Sequence, residues 1–92
     1  MSEALKIAHM ARAYDTLVVP HVSATYSYHF SAAQTNCPFS EFIIWGEDGN
    51  RIEPVFRNLF LDEPLPEGGS VKLTDKPGWG MALNRPALEL DR

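Results

Sequence analysis

The stretch that decides the fold is Thr16-Leu17-Val18-Val19-Pro20-His21. The four residues before the proline form a continuous run, rich in β-branched side chains, that does not alternate with polar residues. Such a run predicts a strand that is buried on both faces, which is typical of parallel sheets. A parallel strand needs parallel neighbours, and no second run of this kind follows at the expected spacing.

The segments on either side of this run predict helices. Ser2–Ala13 (SEALKIAHMARA) is rich in strong helix formers and contains neither glycine nor proline. Tyr26–Gln34 (YSYHFSAAQ) predicts a second helix. A helix, an apolar strand, a short loop and a helix make one repeat of an α/β fold, so we expect that fold class for residues 1–37.

The composition changes near residue 37. All six glycines and six of the seven prolines lie from Pro38 onward. We therefore predict a regular part, residues 1–37, and a turn-rich part, residues 38–92. In the second part Phe39–Trp45 (FSEFIIW) and Val71–Leu73 predict strands, with an acidic turn at residues 46–50 between them. Taken by itself, the chain would then be an α+β structure.

The overall composition excludes several classes of protein. The 92 residues match one domain, and the net charge of −4 argues against a nucleic-acid or anionic-membrane partner. The apolar runs are far shorter than the roughly 18 residues of a membrane span, and no secretory signal follows Met1. The single cysteine, Cys37, fits a reducing compartment. We therefore expect a cytoplasmic protein.

His21 is the first candidate catalytic residue. It directly follows the predicted strand and Pro20, at the end of the strand where ligands and catalytic groups gather in parallel α/β proteins. An imidazole there can act as a general acid or base, because its ordinary pKa is about 6.5. The alternative is a histidine that only hydrogen-bonds to the following loop.

Glu41 is the second candidate. It lies among Phe39, Phe42 and Ile43, and burial among apolar side chains would raise the pKa of its carboxyl group. A protonated carboxyl can donate a hydrogen bond to an oxyanion. The alternative is a solvated glutamate on an edge strand.

The other polar residues predict less. His9 lies on the first predicted helix among alanines, where a surface or helix-packing role is expected, and His29 has no metal-ligand spacing to His21. The acidic pairs Glu47-Asp48 and Asp62-Glu63 lie beside turn residues, so we expect solvated side chains and no dedicated metal site.

Taken together, several pieces of the sequence resemble the C-terminal end of the L-rhamnonate dehydratases, in the mandelate-racemase-like branch of the enolase superfamily. The pieces are Val18-Val19-Pro20-His21, Ser23, Tyr26–Phe30, Asn36, Pro38-Phe39, Glu41-Phe42, Asp62–Pro66, Lys76–Gly80 and Ala82–Asn84. The resemblance runs from about Leu5 to Arg85. One departure is Val22, which stands where the family usually has a small residue, often glycine.

The resemblance implies a fold and a reaction. The fold would be a modified (β/α)-barrel with an α+β capping domain, in which residues 1–37 are the last helix, long strand and helix. Residues 38–92 would be the tail that packs toward the capping domain. The reaction would be Mg²⁺-dependent dehydration of a sugar acid, with His21 as general base and then acid, and Glu41 as a helper at the substrate carboxylate. The full-length relatives would be homo-oligomers.

The resemblance also implies that three acidic residues bind Mg²⁺ and that an Asp orients the catalytic histidine. All four residues would belong to earlier barrel strands that this chain lacks. Two hypotheses remain open. The chain is a piece of a sugar-acid dehydratase that is inactive alone, or it is a small interaction or oligomerisation module derived from the barrel tail.

Overall fold

The computed structural model describes residues 1–22 and 24–90. Within them the elements are α1 (Ser2–Ala13), α2 (Ala24–Ala33), β1 (Phe60–Leu61), β2 (Ala82–Leu83) and α3 (Arg85–Leu90). The chain divides into two compact units, Met1–Phe42 and Ile43–Arg92. The architecture is a mixture of helix and strand, as expected. The assignment of residues 1–37 to a barrel and of residues 38–92 to a tail stays a prediction.

The two predicted helices of the first unit are confirmed. Helix α1 spans the predicted residues. Glu3 lies in its first turn and Arg12 in its last, where their charges interact favourably with the helix dipole. Two residues after its end, Asp15 has a φ of 51°, and the N–H groups of Asp15 and Thr16 bond back to the last turn of the helix. Helix α2 begins two residues before the predicted start.

The core of the first unit lies where α1 and α2 meet the segments that follow them. Ala8 of α1 is fully buried and clusters with Phe30 of α2 and with Cys37. Val18 packs against this cluster, together with Ala4 and Leu5. The small side chain of Ala8 allows the close approach of its neighbours.

The predicted strand Thr16–Val19 is unpaired in this structure. The segment has no strand pairing within the described residues, and Leu17 is 65% exposed and Val19 40% exposed. Backbone hydrogen bonds tie it to the rest of the unit, from the Thr16 N–H to the Ala11 carbonyl and from the Val18 N–H to the Asn36 carbonyl, each at 2.9 Å. A strand exists only when a neighbouring strand accepts and donates its backbone hydrogen bonds, and the described residues supply none here.

Asn36 holds this segment in place. Its side-chain Nδ2 donates to the carbonyl of Ala8 at 3.0 Å and to the carbonyl of Thr16 at 3.2 Å. The bond to Ala8 is buried and the bond to Thr16 is partly buried, so competing water has limited access to them. One amide group therefore joins α1 to the start of the segment that leads to His21.

The second unit is built from turns around a short antiparallel pair. Strand β1 pairs with β2, with Phe60 opposite Leu83 and Leu61 opposite Ala82. The predicted strand Phe39–Trp45 is wrong except at its last residue, which forms an isolated bridge with Arg51 and closes the predicted acidic turn. The predicted strand Val71–Leu73 is also wrong, because no partner pairs with it among the described residues.

Glu63 corrects another expectation. It is buried, and its carboxylate accepts the N–H groups of Val55 at 2.7 Å and Phe56 at 3.3 Å. It thereby satisfies two donors in the turn that precedes β1, whereas the sequence predicted a solvated side chain.

We expect Asn36→Asp to lower the free energy of unfolding of the first unit by about 2 kcal/mol. The substitution keeps the shape of the side chain but replaces the donor with a carboxylate oxygen facing two carbonyls. Urea unfolding followed by circular dichroism at 222 nm measures the change, because α1 and α2 contain most of the helical residues.

The matched control is Thr35→Ala, in the residue next to Asn36. It removes an exposed hydrogen bond, which the Arg12 guanidinium donates to the Thr35 hydroxyl at 3.3 Å. We expect it to cost less than about 0.5 kcal/mol. Equal effects of the two substitutions would contradict the role assigned to Asn36.

Candidate functional site

The structure brings His21 and Glu41 together. His21 lies in the connection between α1 and α2, and Glu41 lies after α2. The Nδ1 atom of His21 and the Oε2 atom of Glu41 are 2.7 Å apart. The side chain of His21 is 81% exposed and that of Glu41 is 40% exposed, so the pair lies at the surface of the first unit.

A backbone group completes this arrangement. The N–H of Val22 donates to the same Oε2 atom of Glu41, at 3.0 Å. Val22 has a φ of 23°, in a region that a β-branched side chain rarely occupies. The carboxylate therefore receives one hydrogen bond from the ring of His21 and one from the backbone immediately after it.

The electrostatics of Glu41 differ from the prediction. The hydrogen bond from the Val22 N–H holds the pKa of Glu41 below its ordinary value of 4.5, and partial desolvation opposes this effect. The hydrogen bond and charge of His21 lower the pKa further. The predicted rise in pKa is wrong, because Phe39 is 65% exposed instead of enclosing the carboxyl group.

The remaining candidate residues do not join this pair. His9 is exposed on α1, and His29 lies within α2. Across residues 1–22 and 24–90, no group of three or more His, Cys, Asp or Glu side chains is placed to hold a metal ion. Mg²⁺ prefers an octahedral set of oxygen ligands, so the described residues do not fit the Mg²⁺ that the resemblance implies.

Two features that support the pair were missed in the sequence. The first is the N–H of Val22, and its only signal was the departure of this valine from the small residue that the resemblance implies. The second is Asn36, which had no signal beyond its place in the resemblance. Ser23, a residue of the resemblance, lies outside the described residues.

Comparison with known proteins places the chain in a family. Residues 1–87 match the family described as "Enolase C-terminal domain-like", and the chain belongs to that family. It is 45% identical over 84 residues to a putative L-rhamnonate dehydratase of Caldivirga maquilingensis, and 44% identical over 92 residues to the L-rhamnonate dehydratase of Saccharopolyspora erythraea. These matches cover 91% and 100% of this chain.

A solved structure gives the same result. The crystal structure of rhamnonate dehydratase from Gibberella zeae complexed with Mg matches 97% of this chain, with 47% identity and a TM-score of 0.87. The predicted resemblance is confirmed.

The chain spans about a fifth of the length of these relatives: 21% and 23% of the two dehydratases and 22% of the solved chain. In the described part of the chain, no helix is long and apolar enough to cross a membrane.

We expect Val22→Gly to raise the free energy of unfolding of the first unit by about 1 kcal/mol. A non-glycine residue at positive φ is strained by roughly 1–3 kcal/mol, and glycine removes this strain. Glycine also loses more conformational entropy on folding, which reduces the gain by about 0.5–1 kcal/mol. Urea unfolding measures the difference. Val18→Gly is the matched control and should be destabilising, since Val18 packs against the core and has no positive φ. A Val22→Gly variant that is less stable than the unaltered chain would contradict the backbone strain inferred at Val22.

We expect the pKa of Glu41 to lie below 4.5 in the folded chain, because the Val22 N–H and His21 stabilise its ionised form. The stability from these bonds is then fully present above the ordinary pKa of a glutamate and is lost as the pH falls through the lower folded value. The carboxyl ¹³C shift of Glu41 and the amide shift of Val22 should titrate together. The control is the same carboxyl in urea, and an equal or higher midpoint in the folded chain would contradict the prediction.

Proposed function

We propose that this chain is a piece of a sugar-acid dehydratase and supplies its proton-transfer histidine. The reaction is the conversion of L-rhamnonate to 2-keto-3-deoxy-L-rhamnonate and water. The observation that carries the proposal is the bond between His21 Nδ1 and Glu41, which occupies one ring nitrogen and leaves Nε2 for a substrate. The names of the relatives support the choice of substrate class.

The proposed chemistry needs one base that becomes an acid. Nε2 of His21 takes the proton from the carbon next to the substrate carboxylate, and the C–H electron pair forms an enediolate. The protonated ring then gives its proton to the 3-hydroxyl, which leaves as water while the C–O bond breaks. The resulting enol becomes the 2-keto product, so atoms and charges balance. Histidine suits both steps because its ordinary pKa lies near neutrality.

We propose that the chain is inactive alone. Removing a proton next to a carboxylate creates a doubly charged oxyanion, which requires a metal ion and hydrogen-bond donors for stabilisation. The described residues hold no group of metal ligands, whereas one relative was solved with Mg. The metal site would therefore come from other parts of the barrel.

The surface of the first unit supports this placement. Leu17 and Val19 belong to an apolar run but are exposed, and the exposed Phe39 lies beyond α2. Burying one such side chain is worth about 1.5–3 kcal/mol, so neighbouring strands would gain considerably by covering the run. We propose that residues 1–37 are the last helix, strand and helix of an enolase-type barrel, and that residues 38–92 are the tail that packs toward its capping domain.

The location and assembly are part of the proposal. We place the assembled enzyme in the cytoplasm as a homo-oligomer without nucleic-acid or membrane partners. The free, buried thiol of Cys37 supports a reducing compartment.

The test is complementation. The purified chain is mixed with the Saccharopolyspora erythraea L-rhamnonate dehydratase from which the matched region has been deleted, in the presence of Mg²⁺ and L-rhamnonate. We expect no 2-keto-3-deoxy product from either piece alone and clear product from the mixture. His21→Asn in this chain should abolish product while Mg²⁺ still binds to the mixture, as measured by calorimetry.

A variant pair probes the apolar run. Leu17→Glu should prevent complementation by placing a charge in the run, while Leu17→Ile should preserve it, because Leu17 is exposed and neither change disturbs the core. Turnover by the chain alone, or full activity of His21→Asn, would contradict the proposal. A discrete oligomer of this chain with a cooperative melt, and no complementation, would favour the interaction module.

A further inference from the structure

We infer that the unpaired backbone edge of residues 17–19 binds the same segment of a second copy of this chain, as two antiparallel strands related by a two-fold axis. The inference goes beyond the proposed function and does not depend on it. For the 92-residue chain by itself, a second copy fits this edge in its backbone groups, its side chains and its charges.

Residues 17–19 alternate in the manner of an extended chain. Val18 packs against the core of the first unit, and its N–H donates to the Asn36 carbonyl. Leu17 and Val19 are exposed, and within the described residues their backbone groups make no hydrogen bond. Neighbouring residues of an extended segment direct their backbone groups to opposite edges. Asn36 therefore occupies one edge, and the other presents the donors and acceptors of Leu17 and Val19.

The run is self-complementary in one antiparallel register. Placing Val18 opposite Val18 of the second copy sets Leu17 opposite Val19 on both sides of the axis. Both members of such a pair direct their N–H and carbonyl groups to the shared edge, so each pair exchanges two hydrogen bonds. Pro20, which has no N–H, lies opposite Thr16, and its backbone faces away from the shared edge. The pairing is therefore complete without a donor from the proline.

The side chains gain from the same register. Directly opposed residues of antiparallel strands lie close enough for their side chains to touch. Leu17 of each copy then covers part of Val19 of the other, and both side chains are exposed in the single chain. No charged side chain interrupts residues 16–20, although charge is a common means by which natural edge strands avoid pairing with another copy.

The residues that flank the run carry complementary charges. In this register Asp15 of one copy lies opposite His21 of the other. Asp15 is exposed and has no ion pair in the described part of the chain. The side chain of His21 is 81% exposed, and its Nε2 atom is outside the contact with Glu41. The two-fold axis repeats this carboxylate–imidazole pair on both sides of the run.

The test is sedimentation of the 92-residue chain up to the concentrations used for NMR, combined with amide hydrogen exchange. We expect a reversible equilibrium between monomer and dimer. As the dimer forms, the N–H groups of Leu17 and Val19 should become protected from exchange. The N–H of Val18 is the internal control, because it is already bonded to Asn36 and its protection should change much less with concentration.

A pair of variants at one position tests the backbone bonds. Val19→Pro removes an N–H from the shared edge, whereas Val19→Thr keeps the N–H and the β-branched shape. Since each copy loses one bond, Val19→Pro should weaken the dimer about thirtyfold, the factor for two net hydrogen bonds. Val19→Thr should weaken it less than about fivefold, because Val19 is exposed. Circular dichroism at 222 nm checks that α1 and α2 are intact in both variants.

A second pair of variants tests the charges. Asp15→Asn removes the carboxylate but keeps a residue type that tolerates the φ of 51° at this position. We expect it to weaken the dimer about threefold, as for two exposed ion pairs. Asp48→Asn makes the same change of charge at an exposed residue of the second unit and should leave the dimer unchanged.

The unaltered chain decides the inference even if a variant unfolds. A chain that stays monomeric at every concentration would overturn it. So would an association that leaves the N–H groups of Leu17 and Val19 unprotected, or a Val19→Pro variant with intact helices and an equally strong dimer.

The result is separate from the complementation assay, in which other barrel strands would cover the same run. A dimer without complementation would contradict the proposed function alone. Complementation by a chain that is monomeric at every concentration would contradict only the dimer.

Discussion

The first unit depends on a single buried amide group. The side-chain amide of Asn36 donates to the carbonyls of Ala8 and Thr16, while the backbone carbonyl of the same residue accepts the N–H of Val18. These bonds hold an apolar segment that has no strand partner within the described residues. An asparagine is suited to this task because its side-chain amide has two donors at one end, as two separated carbonyls require. Together with the packing of Val18 on the core, these bonds fix the segment that leads to His21.

The hydrogen bonds of Asn36 help to position the His21–Glu41 pair. The segment held by Asn36 leads through Pro20 to His21, and the chain returns after α2 to place Glu41 beside it. The pair is exposed, and an exposed carboxylate loses little of its hydration. Glu41 therefore remains ionised at neutral pH, and the Val22 N–H strengthens this preference. The same environment makes the glutamate a good acceptor for an imidazole and a poor acid toward a substrate.

The sequence predicted the local features and failed on the long-range ones. Helix α1 follows from its helix formers, and α2 from a segment without breakers, so both could be read from neighbouring residues. The strands at Thr16–Val19 and Phe39–Trp45 could not, because a strand depends on partners elsewhere in a fold. For Glu41 the apolar neighbours in sequence implied burial, but exposed Phe39 does not enclose the carboxyl. The family resemblance selected His21 and Glu41, while their shared contact with the Val22 N–H required coordinates.

The exposure of His21 shows which properties of a catalytic site a short part of a barrel can supply and which need the rest of the barrel. A base surrounded by water gains little from its neighbours, since electrostatic stabilisation of an oxyanion is strongest where water is excluded. The described residues provide an oriented imidazole but neither an enclosed cleft around it nor a cluster of metal ligands. Orientation depends on a few bonds between the segments that precede and follow α2, whereas enclosure and metal binding need many strand ends to converge. A chain about a fifth as long as its relatives can therefore retain the first property without the other two.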